Sequence, residues 1–181
     1  MATKILAISG SLRAHSSNTA ILMAAKILAP AHSEIIFFSG LDLIPHFNPD
    51  LEAVIYPALE HFRQEIITSD AILICSPEYA HGIPGTLKNA LDWIVSSGEL
   101  DGKAIGIINA TPLYESKSYA QESLIEILKT MSAKILPENT LAISQVKSKL
   151  GKDGEIIDLK TIDELTTLIN SLLKTIIKVA N

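Results

Sequence analysis

Short apolar runs alternate along this chain with segments whose apolar residues recur at helical spacing, and few folds accommodate that alternation. The runs are 3–8, 33–38, 71–75, 103–108 and a fifth at 133–136 that resumes near 140–143. The third, Ala71-Ile72-Leu73-Ile74-Cys75, is apolar without alternation, the pattern of a strand covered on both faces. Between the runs, the spacing predicts helices over about 17–29, 57–69, 85–96, 118–132 and 161–178. Their inward stripes read Ile21, Ala24, Ile27 and Leu28; then Leu59, Phe62, Ile66 and Ile67; then Leu87, Leu91 and Ile94. The fourth carries Leu124, Ile127, Leu128 and Met131, and the fifth Ile162, Leu165, Ile169, Leu172 and Ile176. Strand and helix in turn point to an α/β, doubly wound sandwich, with a parallel sheet and right-handed crossovers. At 181 residues, 48% of them hydrophobic, the chain can bury one good core, so one domain over 1–181 is expected.

In such folds, ligands sit beyond the carboxyl ends of the strands. That rule selects three loops: 9–18, 76–85 and 109–117. The first, Gly10-Ser11-Leu12-Arg13-Ala14-His15-Ser16-Ser17-Asn18, sets three hydroxyls (Ser11, Ser16, Ser17), the Asn18 amide and the Arg13 guanidinium at a helix N-terminus. Free N–H groups and the helix dipole favour an anion there, so the loop reads as a phosphate site. It lacks the three glycines of a dinucleotide fingerprint and the Gly-Lys-Ser/Thr ending of a P-loop. An N-cap role for Ser17 or Asn18 would account for one of these residues and leave the rest unexplained.

The second loop is Ser76-Pro77-Glu78-Tyr79-Ala80-His81-Gly82-Ile83-Pro84-Gly85, followed by Thr86-Leu87-Lys88-Asn89-Ala90-Leu91-Asp92-Trp93. Two prolines stiffen it, and Pro84 suits a helix start. A rigid loop with free N–H groups can bind the polar edge of a planar ring, and Tyr79 could line that ring. For Glu78 two readings stay open, a cofactor contact and a structural or subunit-contact carboxylate. Trp93 reads as a core or subunit-contact residue.

On these two stretches the chain resembles the NAD(P)H-dependent FMN reductase family, which has a flavodoxin-like fold. The family's hallmarks are a G-S-L-R…S-x-N loop after the first strand and a P-E-Y-x…P-G-x-L-K-N-A-[IL]-D-W segment after the third. Both stand here in order, as Gly10–Asn18 and Pro77–Trp93. Pro45-His46-Phe47-Asn48-Pro49-Asp50 is similar to an early family loop. The resemblance covers roughly 3–145 and implies a five-stranded parallel sheet of order 2-1-3-4-5 with helices on both faces.

It also implies one non-covalent FMN. Carried over by position, Ser11, Arg13, Ser16, Ser17 and Asn18 would hold the phosphate. Pro77, Glu78, Tyr79, Ala80, His81 and Gly82 would line the isoalloxazine ring, joined by Asn109 and Thr111 of the third loop. NADPH or NADH would reduce the flavin in a ping-pong scheme, and a small acceptor such as a flavin or quinone would reoxidise it. No catalytic side chain is required for the first half, though His81 and Tyr79 are candidate proton sources for a quinone. A flavodoxin-type electron carrier is the alternative on the same fold. Many members carry Asn where this chain has Ala80, and the third loop, Thr111-Pro112-Leu113-Tyr114-Glu115, is bulkier than usual. The family implies a homodimer or homotetramer, with loop 41–56 (Phe47, Tyr56) and Trp93 as candidate contacts.

Other classes fit poorly. Net charge is −5 and the fifteen Lys and Arg are scattered, which argues against nucleic acid. The single Cys75 permits no internal disulfide and suits a reduced, cytoplasmic setting. No targeting or membrane segment is expected: the first apolar run is broken by Ser9-Gly10-Ser11, and 162–179 is interrupted by Asp163, Glu164, Asn170, Lys174 and Lys178. The five histidines are dispersed without metal-ligand spacing, and no G-x-S-x-G nucleophile elbow occurs.

Overall fold

The computed structural model describes residues 2–114 and 118–179, and it orders the strands as expected. Strands β1 (Thr3–Ser9), β2 (Ser33–Phe38), β3 (Ala71–Ser76), β4 (Ala104–Ala110) and β5 (Thr140–Ile143) form one parallel sheet in the order β2-β1-β3-β4-β5. This is the flavodoxin-like order, whose switch point lies between β1 and β3. There Ser9 lies beside Cys75, and one strand further Ser76 lies beside Asn109, so the three expected loops leave the sheet together.

Period-2 alternation divides each strand between two cores. Leu6, Ile8, Ile72, Ile74, Ile105 and Ile107 face α2 (Pro57–Ile67), α3 (Gly85–Asp92) and α4 (Tyr119–Thr130). Ile5, Ala7, Leu73, Cys75 and Ile108 face α1 (Ser17–Leu28) and α5 (Leu159–Val179). All six residues of β3 are buried, as its unbroken apolar run required. No described helix is long and apolar enough to cross a membrane.

The departures are local. Residues 133–136 do not join the sheet as a strand; a single bridge from Lys134 to Ala104 is followed by a 3-10 turn at Pro137–Asn139. Pro137 has no N–H to give a ladder, so pairing resumes only at Thr140. In α1 the buried stripe is Asn18, Ile21, Leu22 and Ala25, and Ile27 stands 84% exposed. Ile67, the last residue of α2, is also exposed. Helix α3 stops at Asp92, short of the expected 96, although Trp93 and Ile94 remain fully buried in the turns that follow.

Trp93 therefore cannot present its ring to a second subunit: it is a core residue. Its Nε1 donates to the Pro45 carbonyl at 2.7 Å, and Phe47 meets it edge-on at 5.1 Å. Asn89 adds a second clip, donating to Pro45 O at 2.9 Å and accepting from the Phe47 N–H at 2.8 Å. The Asn and Trp of the Leu87–Trp93 segment thus fasten the long 39–56 connection to α3.

Candidate active site

The first loop is built on a tight crossing. The Gly10 N–H donates to the Cys75 carbonyl at 2.9 Å, which ties the ends of β1 and β3. A Cβ at Gly10 would lie 2.7 Å from Ser76 Oγ and 3.2 Å from Ser76 Cα, so only glycine fits. Behind the loop, the Ser9 hydroxyl shares a hydrogen bond with Thr19 Oγ1 at 3.0 Å and accepts from the Ser11 N–H at 3.3 Å. Ser11 Oγ in turn accepts from the Arg13 N–H at 3.4 Å. The cap of α1 is Ser16, whose Oγ accepts from Thr19 N–H at 3.4 Å, so neither Ser17 nor Asn18 fills that role. Both lie in the first helical turn, where backbone N–H groups have no intrahelical partner.

Asn18 is buried, and its Oδ1 accepts from the Cys75 thiol at 3.3 Å. That leaves the amide Nδ2 to donate elsewhere. Burial pushes the Cys75 thiol pKa up, which keeps it protonated as the donor.

Ser11, Arg13, Ser16, Ser17 and Asn18 line one cavity of about 160 Å³, together with Pro77, Glu78, Tyr79, Thr111 and Lys147. Lys147 was not anticipated. It follows β5, and Gln145 at φ +51° turns the chain so that 146–147 reach the cavity. Two cations and the positive end of α1 thus surround a space lined with hydroxyls, an environment suited to a dianion.

The second loop is a two-residue hairpin. Tyr79 and Gly82 exchange both backbone hydrogen bonds at 3.0 Å, and Ala80 (φ +49°) and His81 (φ +60°) both take left-handed backbone. That is a type I′ turn, in which Asn or Gly is favoured at φ > 0. The Asn found here in many members of the resembled family is thus suited to the turn itself. Ala80→Asn is expected to raise stability by about 0.5–1 kcal/mol by relieving left-handed strain, read from a denaturant midpoint. The Tyr79 and Gly82 N–H groups are spent on the turn; those of Ala80 and His81 lie at its tip.

Glu78 is structurally engaged. Its Oε2 accepts from Ser118 Oγ at 2.9 Å and from the Ala120 N–H at 3.1 Å, at the start of α4; its Oε1 faces His81 Nδ1 at 3.1 Å. Desolvation raises its pKa, but the hydrogen bonds from Ala120, Ser118 and His81 and the charge of His81 outweigh it, so the net shift is downward. A depressed carboxylate stabilises the fold above its unfolded pKa, and the contribution is lost as pH falls through the folded value. The stability gap between the native protein and Glu78→Gln should therefore be full above the ordinary glutamate range and vanish on acidification below it, as urea melts across pH would read.

Asn109 and Thr111 complete the site. Asn109 is buried at the end of β4 and donates to Ser76 O at 3.4 Å. The Thr111 backbone is pinned on both sides: its N–H donates to Ile143 O at 2.9 Å, and its carbonyl accepts from Val146 N–H at 3.0 Å. A second cavity of about 340 Å³, lined by Glu78, Ala80, His81, Asn109, Thr111, Pro112, Leu113 and Ser118, shares three of those residues with the first. The expected residues thus fall around two adjoining spaces, apart from Gly82, which lines neither. Glu115 lies outside the described residues.

The family model for NADPH-dependent FMN reductase matches residues 3–148, which hold every residue of this site. The chain belongs to that family. Among relatives of this FMN reductase family member, an NAD(P)H-dependent FMN reductase of Pseudomonas aeruginosa is 34% identical over 158 residues, covering 86% of this chain and 85% of the relative. A quinone reductase of Escherichia coli K12 is 29% identical over 168 residues, covering 90% and 89%. Among solved structures, the flavoenzyme NAD(P)H:(acceptor) oxidoreductase FerB of Paracoccus denitrificans superposes with a TM-score of 0.85 at 27% identity, covering 97% of this chain and 98% of that one. The family uses FMN and NAD(P)H and reduces small acceptors. In this FMN reductase fold, the first two loops flank the switch point and the third follows the adjoining strand β4.

Proposed function

We propose that this protein binds one FMN non-covalently across the two adjoining cavities and carries reducing equivalents from NADPH or NADH to a small acceptor, a quinone or a free flavin. The observation that carries this reading is the convergence of Ser11, Arg13, Ser16, Ser17, Asn18 and Lys147 on one space at the N-terminus of α1. The donor set fits a phosphate monoester: hydroxyls, an amide, two cations and helix N–H groups, with the carboxylate of Glu78 turned to Ser118, Ala120 and His81.

When bound, FMN supplies the site that accepts a hydride from nicotinamide and later returns the electrons to the acceptor. The chain's own residues supply position. The phosphate loop fixes one end of the cofactor. The Pro77–Gly82 hairpin, held in shape by its paired backbone bonds and by Glu78, would wall the ring, together with Asn109 and Thr111. Hydrogen-bond donors from these loops would stabilise the negative charge that reduction brings. Nicotinamide and acceptor would then reach the bound ring in turn, as a ping-pong scheme needs.

Beyond small molecules, the expected partner is a second copy of the chain, in a homodimer or homotetramer, and the setting is cytoplasmic. Loop 41–56 keeps Leu43, Leu51, Val54 and Ile55 exposed for such a contact.

Anaerobic stopped-flow mixing of the FMN-loaded protein with NADPH or NADH tests the activity. Rapid bleaching of the flavin band is expected with at least one nucleotide. A bound flavin that neither nucleotide reduces would mark an electron carrier instead.

A further inference from the structure

His81 stands at the hairpin tip, exposed, and lines the larger cavity. Its Nδ1 lies 3.1 Å from Glu78 Oε1, and its ring packs edge-on against Tyr119 at 4.8 Å. Glu78 is itself fixed by Ser118 and the Ala120 N–H. An ionised carboxylate only accepts hydrogen bonds, so Nδ1 must be the donor, and this leaves Nε2 as the nitrogen free to exchange a proton. A carboxylate that orients an imidazole and stabilises its cation is the arrangement that makes histidine an effective general acid.

We propose that His81 is the proton donor to a quinone in the second half of the reaction, oriented by Glu78. The assignment rests on the reductase reading above. A quinone needs two electrons and two protons to become a hydroquinone. One proton and both electrons arrive as a hydride equivalent from the reduced cofactor, and form one new bond to hydrogen. The oxygen left with negative charge takes the second proton from Nε2–H of the imidazolium, which becomes a neutral ring with its remaining hydrogen on Nδ1 facing Glu78. Solvent returns the proton to Nε2 before the next turnover. Glu78 from its own loop and Tyr119 from α4 are titratable groups set against this ring.

The test compares His81→Asn with the native protein, since Asn tolerates the φ of +60° at this position. His81→Gln, which keeps more of the side-chain length, should behave alike. The reduced holoenzyme is mixed with benzoquinone, which needs a proton, and with ferricyanide, which takes electrons alone. The quinone rate should fall at least about 100-fold further than the ferricyanide rate, the low end of what a general acid contributes. Independently of the flavin, ¹⁵N NMR of the apoprotein should find the neutral His81 ring protonated on Nδ1. Equal losses for both acceptors, or a neutral ring protonated on Nε2, overturn the assignment and leave the reductase reading in place. A native flavin that NADPH and NADH both fail to bleach overturns both.

Discussion

Trp93→Ala is expected to cost about 3–5 kcal/mol, the range for truncating a fully buried aromatic. The ring has no exposed surface, and its removal also deletes the Nε1 bond to Pro45 and the edge-on contact with Phe47. For a chain of this size, each kcal/mol moves the melting temperature by about 2–4 °C, so a fall of about 6–20 °C should appear in a circular-dichroism melt. Trp93→Phe keeps most of the apolar contact, and Asn89 still serves the Pro45 carbonyl. Its loss should be near 1 kcal/mol, the worth of one hydrogen bond. Assembly should change only where the variant unfolds, because no part of this ring reaches the surface.

The second large effect is at Gly10. Gly10→Val places side-chain atoms against the Cβ and Cα of Ser76, where even a single Cβ is too close. Overpacking of this kind costs about 1–3 kcal/mol. The functional loss should be larger than that figure suggests. The contact sits where β1 and β3 deliver their loops, and prying them apart shifts Ser11 and Arg13 away from Pro77 and Tyr79. Charge-assisted hydrogen bonds are worth about 1.5–3 kcal/mol each, so misplacing even one should weaken FMN by more than about tenfold. Fluorescence titration of FMN against the folded variant would read this.

The fold was legible because β1, β3 and β4 each centre on an apolar run and the crossovers contain helices with clear stripes. The carboxyl-end rule then selected the three loops, and the long Pro77–Trp93 motif supplied the ring partner for the phosphate loop. Lys147 escaped because β5 is short and Pro137 splits the apolar run before it. With the strand's end uncertain, the loop that follows could not be assigned to the site. Ser118 escaped because its role depends on Glu78, 40 residues earlier, and no local pattern joins the two. The cap of α1 fell on Ser16 because three adjacent residues are all competent caps, and only backbone geometry chooses among them. Ile27 was misplaced for a related reason: α1 packs toward α5 as well as the sheet, which rotates the buried stripe to 18, 21, 22 and 25.

Under the proposed function, side chains and helix N–H groups, not a glycine-rich turn, anchor a mononucleotide by its phosphate at Ser11–Asn18. Calorimetric titration of the apoprotein with FMN and with riboflavin tests it most directly, since the two ligands differ only in that phosphate. Several charge-assisted bonds at about 1.5–3 kcal/mol each predict one FMN per chain, bound at least about 100-fold more tightly than riboflavin. Equal affinity for the two ligands would contradict the account.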